Sequence, residues 1–193
     1  MIVTLYNFKG GVGKTSISVN LSLTLGWKVY SNDYYCPLED VLPEGRFKKY
    51  EPNEEIQPYM GKDNLIFDFG GQIDFRIIPA ILQSNFVLIP LINETIDIKV
   101  TLSTIEAIRE INDNIIIIIN RTQGNDFQQA KSQILEHYNY PIFEIKKSRA
   151  LADVFKTGKS IQTMVAGGGL KRFNYSSIDS QFQKIIKHII VNR

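Results

Sequence analysis

Cysteine is almost absent. Cys36 alone among 193 residues cannot close an intrachain disulfide, and this points to a reducing, cytoplasmic setting. Histidine is nearly as scarce: His137 and His188 have no Cys or His partner at ligand spacing, so neither suggests a metal site. No apolar stretch approaches the ~20 residues that span a bilayer. The first residues read as a strand and a glycine loop rather than a signal peptide. Internal repeats and low-complexity tracts are missing too. A soluble chain remains, 44% hydrophobic, long enough for one well-buried domain over residues 1–193 and short for two.

Net charge is only +2, but it is unevenly spread. Residues 1–143 carry 12 Lys/Arg against 17 Asp/Glu, while residues 144–193 carry 10 against 3. A basic C-terminal quarter on an acidic body is the asymmetry of a protein that meets a polyanion; a solvated, lysine-rich helix face is the plainer reading.

Apolar runs alternate with amphipathic segments. The expected strands are 2–5, 28–31, 65–67, 86–89, 115–119 and 142–145; the expected helices are 14–25, 75–83, 98–111, 127–138, 149–156 and 178–191. Short, continuous apolar runs rich in β-branched residues suit strands buried on both faces. The fold class expected is therefore α/β, a mostly parallel central sheet flanked by helices. Two segments break the pattern. Residues 37–61 are polar, carry four prolines and read as a long excursion. Gly167-Gly168-Gly169 reads as a flexible turn before the last helix.

Phe8-Lys9-Gly10-Gly11-Val12-Gly13-Lys14-Thr15-Ser16 follows the first apolar run. A strand, a glycine-rich loop and a helix in succession aim several backbone N–H groups at one point, where the helix dipole also favours negative charge. Lys14 would reach the β/γ-phosphates of a nucleotide and the Thr15 hydroxyl would ligate Mg²⁺. A glycine usually stands five positions before Gly13; here it is Phe8, followed by a second lysine, Lys9. Leu65-Ile66-Phe67-Asp68 is an apolar strand ending in a carboxylate, which would place Asp68 beside Mg²⁺.

The segment 9–15 resembles the deviant Walker A motif of the ParA/MinD family of P-loop ATPases, and the resemblance extends in weaker form over the whole chain. It implies that Lys9 crosses a nucleotide-sandwich homodimer to the partner's phosphates. The single cysteine excludes the paired-cysteine cluster ligation of the related nitrogenase iron proteins. Family members follow their second strand with Asp-x-Asp-Pro, whose later Asp orients the attacking water. Here the segment is Asn32-Asp33-Tyr34-Tyr35-Cys36-Pro37. In one register Asp33 matches the first Asp and Tyr35 takes the water-orienting place; in another Asp33 matches the later Asp. Asp33 is the candidate for Mg²⁺ or water, with Glu39 and Asp40 as fallbacks. Slow, partner-stimulated turnover is expected; in the register that gives Tyr35 the water-orienting place, a phenol cannot act as a carboxylate base and hydrolysis would be lost.

The resemblance also implies that Asn120, with Arg121 beside it, meets the adenine edge, which an amide's paired donor and acceptor suit. An Asn capping the strand-to-loop turn is the alternative. No guanine-recognition box is seen, which favours ATP. The cofactors implied are ATP and Mg²⁺. The partners implied are a second copy, non-specific DNA through Lys146, Lys147, Arg149, Lys156, Lys159, Lys171 and Arg172, and a centromere-binding adaptor. The function implied is a partition switch, cytoplasmic and nucleoid-associated when ATP-bound. Two other outputs stay open: a membrane positioner using the stripe 182–190, and an ATP-locked scaffold for a protein cargo. The absence of a Trp anchor makes that stripe read better as core than as lipid contact.

Overall fold

The run Ile115–Ile119 shows how this chain builds its centre. Successive strand residues point to opposite faces, and all five isoleucines are buried: Ile116 and Ile118 in one hydrophobic core, Ile115, Ile117 and Ile119 in a second. A strand with no polar face must lie inside a sheet covered on both sides. The computed structural model, which describes residues 1–71 and 74–192, has that architecture.

Seven parallel strands, β1 (Ile2–Leu5), β2 (Lys28–Ser31), β3 (Phe47–Lys49), β4 (Leu65–Asp68), β5 (Phe86–Leu91), β6 (Ile115–Thr122) and β7 (Ile142–Lys146), form one sheet in the order β3-β2-β4-β1-β5-β6-β7. β1 lies between β4 and β5, with Leu5 level with Asp68 on one side and Leu88 on the other. One face carries α1 (Lys14–Leu25), α5 (Ala150–Thr157), α6 (Ile161–Ala166) and α7 (Gly169–Val191); the other carries α2 (Ile78–Leu82), α3 (Thr95–Arg109) and α4 (Asp126–Leu135). The chain leaves β1 for one face and β5 for the other. A crevice therefore opens between their carboxyl ends, the place where parallel sheets bind ligands.

α1 has no strong apolar stripe because it is buried on two sides, against β2 and β4 and against α5 and α6. Its buried polar residues are satisfied locally: Ser18 Oγ donates to Thr15 O, Ser22 Oγ to Trp27 O, and Asn20 Oδ1 accepts from Ile161 N. Gly26, at φ 75°, closes the helix by donating its N–H to Ser22 O, so the connection to β2 is only Gly26 and Trp27.

Several expectations are corrected. The excursion 37–61 contains the edge strand β3, paired with β2 from Val29↔Phe47 to Ser31↔Lys49. It clasps the sheet edge, placing Leu38, Val41 and Leu42 in one core and Tyr50 and Ile56 in the other. The segment 75–83 is a 3-10 turn, Phe75–Ile77, leading into α2, with Pro79 in the first turn of that helix. The helix α6 was not anticipated. The glycine turn is present, with Gly168 and Gly169 at positive φ, but α7 starts there rather than at Ile178. On α7, Phe182, Ile185, Ile186 and Ile189 are buried against the sheet, as expected of a core stripe, while Ile190 is 40% exposed.

Candidate functional site

The loop from Tyr6 to Gly13 crosses the carboxyl end of β1, and a buried residue holds it there. Asn7 Nδ2 donates to Pro90 O and to Thr101 Oγ1, both at 2.8 Å, while its Oδ1 accepts from Lys9 N at 2.9 Å and Thr104 Oγ1 at 3.1 Å. An Asn before a glycine loop looks like a turn residue, so the sequence does not single out Asn7. Its position two residues beyond a buried strand was the available signal.

Inside the loop Lys14 is buried, and its ammonium donates to Lys9 O at 2.9 Å and Asn7 O at 3.2 Å. Burial lowers its pKa, with Asp68 and Asp33 pulling the other way. Gly13 has φ 98°, and a Cβ there would lie 2.3 Å from Asn120 Nδ2. Backbone conformation and space both require glycine at this position.

A cavity of about 270 Å³ opens above the loop, lined by loop residues Gly10, Gly11 and Gly13 to Ser16 and by Asp33, Asp68, Gly70, Gly71 and Arg121. Asp68, at the end of β4, is buried, and neither carboxylate oxygen has a hydrogen-bond partner among the described residues. Burial pushes its pKa up to about 6, although Thr15, Lys14 and Ser18 nearby favour the charged form. A buried carboxylate without a donor is costly. A cation beside it would remove that cost, so Asp68 and the Thr15 hydroxyl are a donor set that fits Mg²⁺.

Asp33 stands on the wall of the same cavity, two residues beyond β2, its N–H donating to Ser31 Oγ. Tyr35 does not join it: the phenol is 91% exposed and borders a neighbouring cavity of about 520 Å³. Glu39 pairs with Lys49 at 2.7 Å and Asp40 is exposed; neither lines the phosphate cavity. Of these candidates Asp33 alone lines the phosphate cavity.

Asn120 and Arg121 separate. Asn120 is buried beneath the loop, donating from Nδ2 to Val12 O at 2.8 Å and accepting Arg121 N at its Oδ1. Its amide holds the phosphate loop instead of facing the cavity. Arg121 is the extra residue of a bulge between Asn120↔Ile145 and Thr122↔Lys146, and at φ 57° it is the one non-glycine residue with positive φ among those described. A bulge re-aims a side chain, and here Arg121 lines the cavity. Lys9 points elsewhere, its ammonium 3.3 Å from Asp97 Oδ1. Of the basic C-terminal residues, Lys146, Lys147, Arg149, Lys156, Lys159 and Arg172 are exposed, while Lys171 is paired with Asp153 at 3.0 Å.

Comparison with known structures returns the same fold. The chain is similar to apo McdA of Cyanothece (15% identity, TM-score 0.71, 98% of each chain covered). It is also similar to a protein of Borrelia burgdorferi described as a plasmid partition protein and bound to AMPPNP (14% identity, TM-score 0.65, 97% of this chain and 98% of that one). A third likeness is the septum site-determining protein MinD of Pyrococcus horikoshii with Mg-ADP (14% identity, TM-score 0.65, 100% and 98% covered). A sequence comparison with curated proteins matched none of them. The model of the CobQ/CobB/MinD/ParA nucleotide binding domain matches residues 3–161. With phosphate loop, buried carboxylate and parallel sheet in these positions, the chain belongs to the CobQ/CobB/MinD/ParA family of nucleotide-binding domains.

Proposed function

We propose that the protein is a slow ATPase that dimerises around ATP and binds non-specific DNA in that state, acting in plasmid or chromosome partition. The observation that carries the nucleotide reading is Asp68: a buried carboxylate with no hydrogen-bond partner among the described residues, beside Thr15 and facing a glycine loop closed by Lys14. ATP phosphates would take the amides of residues 10–16 and the Lys14 ammonium. Mg²⁺, held by Thr15 and Asp68, would neutralise charge on those phosphates. Asp33 would orient the attacking water, and Arg121 would face the nucleotide from β6. Turnover would be slow until an adaptor protein completes the site.

Lys9 supports the dimer reading, because it does not serve the pocket of its own chain. Asp97 holds it outside, where it could reach a second copy. The exposed cations between Lys146 and Arg172 support a polyanion partner, and dimerisation would double that surface. Burial of the α7 stripe leaves the membrane reading without its apolar face. Asp33 on the cavity wall favours turnover over a locked scaffold.

The test is binding to a long duplex of arbitrary sequence with ATP, with ADP and without nucleotide, at two salt concentrations. Binding with ATP alone that weakens steeply with salt is expected. A dimer that forms in ATP yet binds no DNA would overturn the DNA assignment and direct the search to a protein cargo.

A further inference from the structure

Gly70 lies on the wall of the phosphate cavity, yet its N–H is not free for a phosphate. It donates to Asn32 Oδ1 at 2.7 Å. The other end of that amide, Nδ2, donates to Asp74 Oδ2 at 3.1 Å. Asp74 is gripped in turn by Arg76, whose Nε and Nη2 donate to its two oxygens at 2.9 and 2.8 Å. Arg76 Nη1 then crosses to the excursion, donating to Glu54 O at 3.0 Å and Glu51 O at 3.4 Å.

We propose that Asn32, Asp74 and Arg76 are positioning residues that carry the state of the phosphate site to residues 51–57, so that this segment is held differently with a nucleoside triphosphate than with a diphosphate. The proposal rests on the nucleotide reading above and names a regulation of that site. Three features support it. The Gly70–Gly71 loop packs closely on the phosphate loop: a Cβ on Gly71 would lie 2.6 Å from Gly10 N, so a change at the phosphate loop is met directly by residues 70–71. Asn32 has one amide with both ends engaged, and withdrawing the Gly70 N–H toward a phosphate removes one anchor of the group that holds Asp74. A guanidinium that serves a carboxylate and two carbonyls does so in one orientation only, so movement of Asp74 carries Arg76 off the carbonyls.

The receiving segment is lightly held. Tyr50 and Ile56 anchor it in the core, Tyr59 N donates to Gln83 Oε1, and residues 51–53 are exposed. Such a segment opens locally at small cost. It forms one side of a groove of about 350 Å³ against Phe75 and Pro79, with Phe75 79% exposed on the rim. The far end of the relay is thus a surface whose shape follows nucleotide state.

Hydrogen exchange of the full chain, read by mass spectrometry, tests this with Mg·AMPPNP and with Mg·ADP, nucleotide affinity being measured in parallel. Amides 51–57 should exchange about fivefold faster with AMPPNP than with ADP, the worth of one ordinary hydrogen bond. Asn32→Ala and Arg76→Gln should each abolish that difference while both nucleotides still bind. Arg76→Lys, which cannot span both oxygens and both carbonyls, should restore little of it. Lys48→Ala, which removes the Glu54 salt bridge outside the relay, should raise exchange in both states and keep the difference. Equal exchange with the two nucleotides in the wild type, or an undiminished difference in Asn32→Ala, would overturn the relay and leave the ATPase reading intact. Binding of neither nucleotide would overturn both.

Discussion

Lys9 and Asp97 form an ion pair, 3.3 Å between ammonium and carboxylate, that joins the phosphate loop to the first turn of α3. The Asp97 side chain is 9% exposed and the Lys9 side chain 38%, so the pair is anchored at its acidic end and open at its basic end. A carboxylate at a helix N-terminus is favoured by the dipole, which keeps Asp97 in place while Lys9 is free to leave. If Lys9 serves a second copy, this pair competes with the dimer. Asp97→Asn should then tighten the AMPPNP-dependent dimer by about two- to fivefold, since a half-exposed pair is worth roughly 0.2–1 kcal/mol. Lys9→Ala should bind nucleotide and stay monomeric. Sedimentation velocity reads both, and a Lys9→Ala dimer as strong as wild type would remove the cross-subunit role.

Asp68 makes stability and metal binding depend on pH in opposite senses. In the folded protein it holds its proton up to about 6, against 3.8 for an ordinary aspartate. Between those values the folded state binds more protons than the unfolded one, so stability falls as pH rises from about 4 to about 6, by at most ~3 kcal/mol. Mg²⁺-dependent nucleotide affinity should rise across the same window as the carboxylate becomes available. Asp68→Asn should flatten the stability profile, raise the melting temperature of the ligand-free protein at neutral pH and weaken Mg²⁺-dependent nucleotide binding. Calorimetry from pH 4 to pH 8 would show the slope.

Asn120 distinguishes a structural from an adenine-reading role. Its amide holds Val12 O from beneath, and Asn120→Ala would leave a buried carbonyl unpaired at a cost of ~1–3 kcal/mol. For a chain of this size that is a fall of roughly 2–4 °C per kcal/mol in melting temperature without nucleotide. An unchanged melting temperature with lost preference for ATP over GTP would return Asn120 to the base.

Phe182 separates core from membrane contact on α7. It is buried with Ile185 and Ile189, and Phe182→Ala should destabilise by ~3–5 kcal/mol in urea unfolding. Ile190, 40% exposed, should tolerate alanine within about 1 kcal/mol. Comparable, small effects at both positions would mean that the stripe is not packed as described.

Much of the site was legible because its signals are local. A strand, a glycine loop and a helix in immediate succession constrain one another through backbone geometry alone, so Gly10 to Ser16 and Asp68 could be placed from spacing. Asp33 is legible as a carboxylate just past an apolar strand, but its register is not. Whether it or Tyr35 lines the cavity depends on where β2 ends, and that is set by pairing Ser31 with Asp68 and Lys49. The adenine role of Asn120 is what the resemblance implies; that its amide meets Val12 O, 108 positions away, is a contact no local pattern reports.

Sequence alone determined the fold class, because short β-branched runs alternating with amphipathic segments point to a parallel sheet covered on both faces, and the ligand class, because a phosphate loop is a local object. Tertiary structure decided what lies opposite what. The Lys9–Asp97 pair, the Asn7 clamp on β5 and α3, and the path from Gly70 to Glu54 join residues 16 to 97 positions apart. No periodicity reports such contacts: they arise from the order in which the strands are laid into the sheet, and hydrophobic pattern does not encode that order.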